Sequence, residues 1–268
     1  MALTLAEARR LVEAEQRECV AEREAFRRFR TTVARAETGG DTPAMGAAFE
    51  SGPGVGPAGP TAMRAVPGVQ TSAGETPSTT LCEAYRQSVM AVGAPAEESV
   101  EEHVAAELGP DLARVVCTGS LTPDTRQALL DRVGVALDAR DAFVTMLDRE
   151  VESLDSVAAA CRRSRERLRR ARSWEDASVS GAERSADVLD AALSAWGRLD
   201  DLAADLDRVA AERQETLVGH RRSVAAVDDI TGYLYGERPG LAAIAAVGQE
   251  LDAGRRVVTR TVGRPRNR

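Results

Sequence analysis

The sequence predicts an all-α protein, an elongated antiparallel helical bundle with coiled-coil-like long helices and a disordered Gly/Pro-rich linker. Apolar residues recur at alternating spacings of three and four over long stretches, which is the pattern of helices buried along one side. Aromatic residues make up only 3% of the chain, so the core has to come from narrow seams of Ala, Val and Leu. A segment at 39–78 lacks this periodicity and is crowded with Gly and Pro, which predicts a disordered linker.

The first predicted element is an amphipathic helix within residues 1–38. Glu15 and Glu22 occupy positions of its second stripe, so the seam is narrow and suits docking on other helices. Because a flexible linker follows, this helix could bind its own core or that of a neighbouring molecule. The candidate helix-interaction seam is the set of apolar side chains at intervals of seven, namely Leu5, Val12, Cys19, Phe26 and Val33.

An ordered helical domain is predicted at 79–262, beginning with short helices. Thr122 followed by Pro123 is a start signal, since Thr caps a helix and Pro fits its first turn. A long helix is therefore predicted at about 123–172. Arg140 and Arg165 interrupt its apolar stripe.

A second long helix is predicted at about 182–235, and a short turn should fold it back antiparallel to the first. Its stripe has a three-three step near Trp196 and a four-four step near Arg213, which predicts local changes of packing along this helix. A last helix is predicted at about 239–262. A basic tail at 263–268 closes the chain.

The chemistry-bearing residues are few. All 35 basic side chains are arginine, which excludes Schiff-base lysines and the P-loop lysine. The four cysteines stand far apart, without metal-ligand spacing. His103 lies among carboxylates, and two interpretations are open: it is a pH-sensitive group, or it lies on a solvated helix face. His220 lies on an apolar stripe, and it is either a hydrogen-bonded histidine of the helix seam or a metal ligand. We therefore expect no enzyme, no metal and no cofactor.

Arginine is concentrated in two blocks on an otherwise acidic chain. One block, around 161–173, carries seven arginines against one glutamate, and the other covers 255–268. Each lies at or after a helix end, where cations complement the helix dipole. The alternatives are contact with nucleic-acid phosphates or an ionic surface within the chain or toward a partner. The candidate contact residues are Arg162, Arg163, Arg165, Arg169, Arg170 and Arg172.

Three segments together carry a family resemblance: "YRQSVMAV" from Tyr85, "VAAELGPDLA" from Val104 and "YLYGERPGLAAIAAVGQEL" from Tyr233. The chain resembles a group of uncharacterised haloarchaeal helical proteins known only as a domain of unknown function. The resemblance implies a helical architecture and a salt-rich archaeal cytoplasm. It transfers no catalytic or binding residue.

The expected function is that of a non-enzymatic helical interaction or scaffold protein, acting through self-association or by docking another helical protein. The alternative is a nucleic-acid-associated regulator that uses the arginines of 162–172 and 255–268. A cytoplasmic location is expected and no membrane partner, because charged residues interrupt every apolar run long before it could span a bilayer.

Overall fold

A computed structural model of the protein describes residues 3–38, 80–93, 97–118, 121–179, 185–223 and 230–262. Within these ranges the side chains of 172–179, 185–188, 223 and 261 are not described. The described residues form eight α-helices and no strand, which confirms the all-α prediction. The predicted linker at 39–78 and the predicted tail at 263–268 lie outside the described residues.

The eight described helices differ widely in length. In chain order they are α1 (Leu5–Arg35), α2 (Leu81–Ser88), α3 (Val100–Leu108), α4 (Pro110–Thr118), α5 (Pro123–Val179), α6 (Ser185–Ser223), α7 (Ile230–Leu234) and α8 (Pro239–Val262). The second long helix, predicted at about 182–235, corresponds to α6 and α7, with 224–229 outside the described residues. None of the described helices combines the length and the apolarity that a membrane crossing requires.

The helix starts follow the local sequence. Thr122 accepts a hydrogen bond from the backbone N–H of Thr125 at 3.2 Å, so the predicted cap of α5 is present. Ser99 and Glu102 form a capping box at the start of α3. Gly236, with φ at +67°, follows α7 in the left-handed conformation that a side chain would disfavour.

The chain divides into two compact units. The first unit comprises Met1–Glu24 with Leu137–Arg268, and the second comprises Ala25–Ala136. Helices α1 and α5 contribute residues to both. The apolar stripe of α1 is buried along its length, so this helix contributes to the apolar interior. The predicted domains at 1–38 and 79–262 stay a prediction.

In the first unit, α5 and α6 run antiparallel, because Glu150 pairs with Arg213 while Arg167 pairs with Asp205. Two apolar clusters fill this unit. One consists of α5, α6 and α8 side chains, including Val157, Leu168, Leu199, Leu206, Val247 and Leu251. The other joins α1, α5 and α7 through Ala8, Val12, Met146, Leu147, Leu154 and Ile230.

The buried stripe of α6 differs from the predicted one at its beginning. Trp196 was expected on the stripe, but it is 38% exposed, and Ala192 and Ala195 are fully buried instead. The buried positions Ala192, Ala195, Leu199, Leu202 and Leu206 alternate regularly by three and four residues. The predicted three-three step near Trp196 is therefore wrong, because the buried residues of α6 do not follow it. Small alanines face the interior of this unit, and the indole is left at the surface.

In the second unit, Tyr85 of α2 is fully buried and lies at the centre of an aromatic group. Its ring makes edge contacts with Phe26 and Phe29 of α1, at centroid distances of 6.3 and 4.9 Å. The Tyr85 hydroxyl is 2.9 Å from Nδ1 of His103 on α3. His103 is thus half-buried against a tyrosine, and the solvated-face alternative describes only part of its surroundings.

Candidate functional site

A buried polar cluster lies between α5, α6 and the turn after α7. Its members are Glu150, Arg213, His220 and Tyr235; the first three expose 0%, 1% and 2% of their surface. Oε1 of Glu150 accepts hydrogen bonds from Nη2 of Arg213 at 2.6 Å and from the Tyr235 hydroxyl at 3.0 Å. Oε2 accepts from Nη1 of Arg213 at 2.7 Å and from Nε2 of His220 at 3.1 Å. All four lone-pair positions of the carboxylate are occupied.

The electrostatics of the cluster favour an ionised Glu150. Burial acts to raise its pKa, but hydrogen bonds from His220 and Arg213, with the charge of Arg213, outweigh burial and lower the pKa to about 2. Burial, and next the negative charge of Glu150, raise the pKa of Tyr235, which therefore stays protonated as a donor. A carboxylate saturated in this way has no lone pair left for a metal ion or a substrate proton.

The cluster lies where α6 passes from one apolar cluster of the first unit to the other. Along α6, Arg213 lies between Val209, which packs against the cluster with Leu199, and Leu217, which packs against the cluster with Met146. Along α5, Glu150 lies between Leu147 and Leu154, which both belong to the cluster with Met146. Arg213 therefore marks the level at which α6 changes neighbours. This accounts for the four-four step predicted near Arg213.

Sequence reasoning missed Glu150. A signal was present, because Glu150 stands three residues after Leu147 and four before Leu154, which places it on the buried face of α5. His220 is the hydrogen-bonded seam histidine of the two alternatives considered. Within the described part of the chain, no three His, Cys, Asp or Glu side chains converge as metal ligands would.

The candidate seam of α1 is buried within this chain. Val12, Phe26 and Val33 are fully buried and Cys19 nearly so, whereas Leu5 is partly buried. The two glutamates that narrow this seam have partners within the first unit. Glu22 accepts a hydrogen bond from Arg140 at 2.9 Å. Glu15 accepts one from Tyr233 at 2.7 Å, and this bond, followed by burial, raises the tyrosine pKa to about 12.

The arginine block of α5 is largely engaged in ion pairs. Arg165 pairs with Glu250 of α8 at 2.9 Å. Glu166 accepts from Arg169 at 2.6 Å and from Arg170 at 3.1 Å. Arg167, which the candidate list left out, pairs with Asp205 of α6. Arg140 and Arg165 interrupt the apolar stripe of α5, and each forms an ion pair with a glutamate of another helix.

Two of the candidate arginines have no ion-pair partner in the described residues. Arg162 and Arg163 are exposed, and both line a shallow surface cleft of about 470 Å³ with Glu166, Arg167 and Arg170. The side chain of Arg172 lies outside the described side chains. The structure therefore brings part of the predicted block together on one helix face.

An exposed apolar stripe on α6 was not predicted. Leu189, Leu193 and Trp196 are 45%, 59% and 38% exposed, and their spacing of four and three places them on one helix face. The guanidinium carbon of Arg255 lies 5.9 Å from the Trp196 ring centroid.

A surface cleft of about 510 Å³ lies beside this stripe. It is lined by Trp196 with Asp252, Arg255, Arg256, Thr259 and Arg260 of α8. We call the set Leu189, Leu193, Trp196, Arg256 and Arg260 the α6–α8 surface.

Two cysteines that are distant in sequence meet in the second unit. Burial raises the pKa of the Cys117 thiol of α4, and the neighbouring Cys82 thiol of α2 adds to this effect. Both thiols are free and half-buried. Cys19 and Cys161 are buried free thiols, in keeping with their positions on helical stripes.

Comparison with known proteins yields one family. A family model described as a domain of unknown function (DUF7260) matches residues 3–255. No curated protein matches the chain. No solved structure matches it either.

Proposed function

The chain belongs to the DUF7260 family, whose description names no function, and from its own surfaces we propose a non-enzymatic helical interaction protein. Its α6–α8 surface docks an acidic amphipathic helix of another protein. The observation that carries this proposal is the exposed stripe of Leu189, Leu193 and Trp196 beside a cleft lined by arginines. Contiguous exposed apolar side chains with a polar rim are typical of protein-binding sites.

The residue types of the surface suit a helix laid along it. Leu189 and Leu193 stand one helical turn apart, which matches the spacing of apolar anchors on a docked helix. Trp and Arg are the residues that most often dominate binding energy at interfaces. Arg255 lies over the indole of Trp196, which helps to hold the ring in place before a partner arrives.

The charge of the surface selects the kind of partner. Arg256 and Arg260 are exposed and form no ion pair with any described residue. Their guanidinium groups complement carboxylates on the rim of an incoming helix. A second copy of the chain in a two-fold arrangement would place this same basic rim against itself, so like charges disfavour self-association here.

The seam of α1 is buried within its own chain, and this also supports docking at the α6–α8 surface. Because Val12 and Phe26 are already covered within the chain, releasing α1 to a partner would expose apolar surface. The α6–α8 surface is available without such a cost. The saturated Glu150 cluster likewise favours a structural role for the buried charges over catalysis. The proposal includes a cytoplasmic location, and the lysine-free, acid-rich composition supports a salt-adapted cell.

A fluorescence titration tests where the helix docks. Trp174→Phe leaves Trp196 as the sole indole, since the chain has two tryptophans. The added peptide is a designed amphipathic helix with Leu on one face and Glu on the other. We expect its binding to shift the emission of Trp196 to shorter wavelength. Leu193→Glu should abolish the shift, whereas Val218→Glu, at another exposed apolar position of α6, should leave it unchanged. Equal effects of both substitutions would reject the proposed surface.

Nucleic-acid binding is the competing proposal, and one observation favours it. Arg162 and Arg163 are exposed without ion-pair partners and share a cleft with Arg167 and Arg170. The pairs of Arg165 and Arg167 with acids on neighbouring helices count against a continuous phosphate-binding face. A mobility-shift assay at low and high salt decides this, because phosphate contacts weaken steeply with salt. Retardation that is lost in an Arg162→Ser/Arg163→Ser variant would support this alternative.

A further inference from the structure

Cys82 of α2 and Cys117 of α4 bring two thiol groups together in the second unit. Helix α2 packs against α4, and each cysteine directly follows a buried apolar residue of its helix, Leu81 and Val116. Both cysteines therefore lie at the edge of the contact between these helices, and both are half-buried. The two side chains are within hydrogen-bonding reach of each other, so their sulfur atoms are neighbours.

The other two cysteines are placed differently. Cys19 and Cys161 are only 5% and 2% exposed. The Cys19 thiol donates to the carbonyl of Arg140 on α5 at 3.6 Å, whereas Cys161 lies 21 residues further along that helix. A rise of roughly 1.5 Å per residue places these two thiols about 30 Å apart. They cannot form a disulfide with each other, because its α-carbons have to lie within about 7 Å.

The electrostatics of the half-buried pair set an order of reaction. Burial, and next the charge of Cys82, raise the pKa of the Cys117 thiol. Because an ionised Cys82 opposes the ionisation of Cys117, the thiolate forms first on Cys82. The thiolate is the nucleophile of cysteine chemistry. Cys82 is therefore suited to attack a molecule from solution, and Cys117 to react afterwards with the sulfur atom beside it.

We propose that Cys82 and Cys117 form a reversible disulfide between α2 and α4, with a small-molecule disulfide as the oxidant. The Cys82 thiolate attacks one sulfur atom of the oxidant, which breaks its S–S bond, leaves a mixed disulfide on Cys82 and releases one small thiolate. Cys117 then loses its proton and attacks Sγ of Cys82, which forms the new S–S bond and releases the second small thiolate. The released thiolates take up the two protons that the cysteines lost. The cysteine pair loses two electrons, and the oxidant gains them.

The position of the pair favours a regulatory bond over a permanent one. Half-buried thiols can be reached by small molecules, and exposed disulfides are the ones that cellular thiols reduce again. In a reducing compartment the pair stays free and responds when small disulfides accumulate. The bond would fix α2 on α4. It is independent of the proposed docking, because the α6–α8 surface belongs to the first unit.

Incubation of the reduced full chain with hydroxyethyl disulfide, an uncharged small disulfide, tests the proposal. The number of thiols, counted after unfolding, should fall from four to two, and the chain should stay monomeric on a non-reducing gel. Trypsin cuts after arginine and should release 65–86 and 115–126 as one linked species. Excess dithiothreitol should restore all four thiols and separate the two peptides.

Two variants locate the reaction. In Cys117→Ser it should stop at a mixed disulfide on Cys82, which adds the mass of one hydroxyethylthio group. Cys161→Ala is the matched control and should still yield the linked peptides, since Cys161 lies in the first unit. An unchanged thiol count in the parent chain, mixed disulfides without linked peptides, a linkage between two chains, or a disulfide that includes Cys19 or Cys161 would overturn the proposal.

Discussion

Glu150 of α5 and Arg213 of α6 form a bidentate ion pair, with two N–O distances of 2.6 and 2.7 Å, in the interior of the first unit. Neither side chain exposes more than 1% of its surface. Burying two charges is costly unless the geometry is good and the remaining hydrogen bonds are made. Here Tyr235 and His220 complete the carboxylate, so the pair fixes how α5 and α6 are aligned.

Glu150→Gln should strongly destabilise the protein. The amide cannot balance the charge of Arg213, and an uncompensated buried charge costs about 3–5 kcal/mol. Urea unfolding followed by circular dichroism measures this difference. Glu250→Gln, which breaks the half-exposed pair with Arg165, is the control and should cost about 1 kcal/mol or less. Similar losses in the two variants would mean that the buried pair does not fix the alignment.

Lowering the pH should remove the contribution of Glu150 to the free energy of unfolding between about pH 4.5 and 2. Its pKa is lowered from 4.5 to about 2 in the folded protein, so the stabilisation is complete above pH 4.5 and is lost as the pH falls toward 2. The shift corresponds to about 3 kcal/mol. Other carboxylates titrate in the same range, so the measured quantity is the stability of the parent chain minus that of Glu150→Gln at each pH. A difference that stays constant below pH 4.5 would contradict the assignment.

Gly240→Ala should destabilise the chain although alanine favours helices. A Cβ at this position would lie 2.8 Å from Nε of Arg213, which is held by Glu150 and cannot move away freely. We expect a loss of about 1–3 kcal/mol from this overlap. Gly248→Ala in the same helix meets open space and should instead stabilise by about 0.5–1 kcal/mol. Thermal unfolding of both variants gives the comparison, and a gain in both would show that Arg213 is not packed against α8.

The two tyrosines around α7 should differ in what their hydroxyl groups contribute. Tyr235→Phe removes a donor to the buried Glu150 and should cost about 1.5–3 kcal/mol, the range for hydrogen bonds to charged groups. Tyr233→Phe removes a bond to Glu15 at the surface, where water can replace the donor, and should cost clearly less. Equal losses, measured by urea unfolding, would argue against a saturated carboxylate.

Periodicity was sufficient to predict the helices. The start of α5 at Pro123 and the buried positions Val12, Phe26 and Val33 follow from caps and heptad spacing, which are local properties of the sequence. The exposure of Trp196 could not be foreseen, because aromatic residues usually occupy the core and the alternative Ala192–Ala195 stripe is equally periodic. Only the packing of α6 decides between the two faces.

Contacts between residues that are distant in the sequence could not be predicted from it. Glu150 and Arg213 are 63 positions apart, and many other acids and arginines could satisfy the same charge pattern. The same holds for Cys82 and Cys117, which meet only because α2 and α4 do. In contrast, Arg140 and Arg165 were visible as interruptions of an apolar stripe, although their glutamate partners were not.

The most direct test of the proposed docking is a comparison of two designed helices on the chain in which Trp196 is the sole indole. The two peptides share the same Leu face, and one carries Glu where the other carries Arg. The account predicts that the acidic peptide binds and shifts Trp196 emission, that the basic peptide does not, and that Arg256→Glu/Arg260→Glu reverses this preference. Equal binding of both peptides, or preference for the basic one by the unmodified surface, would contradict it.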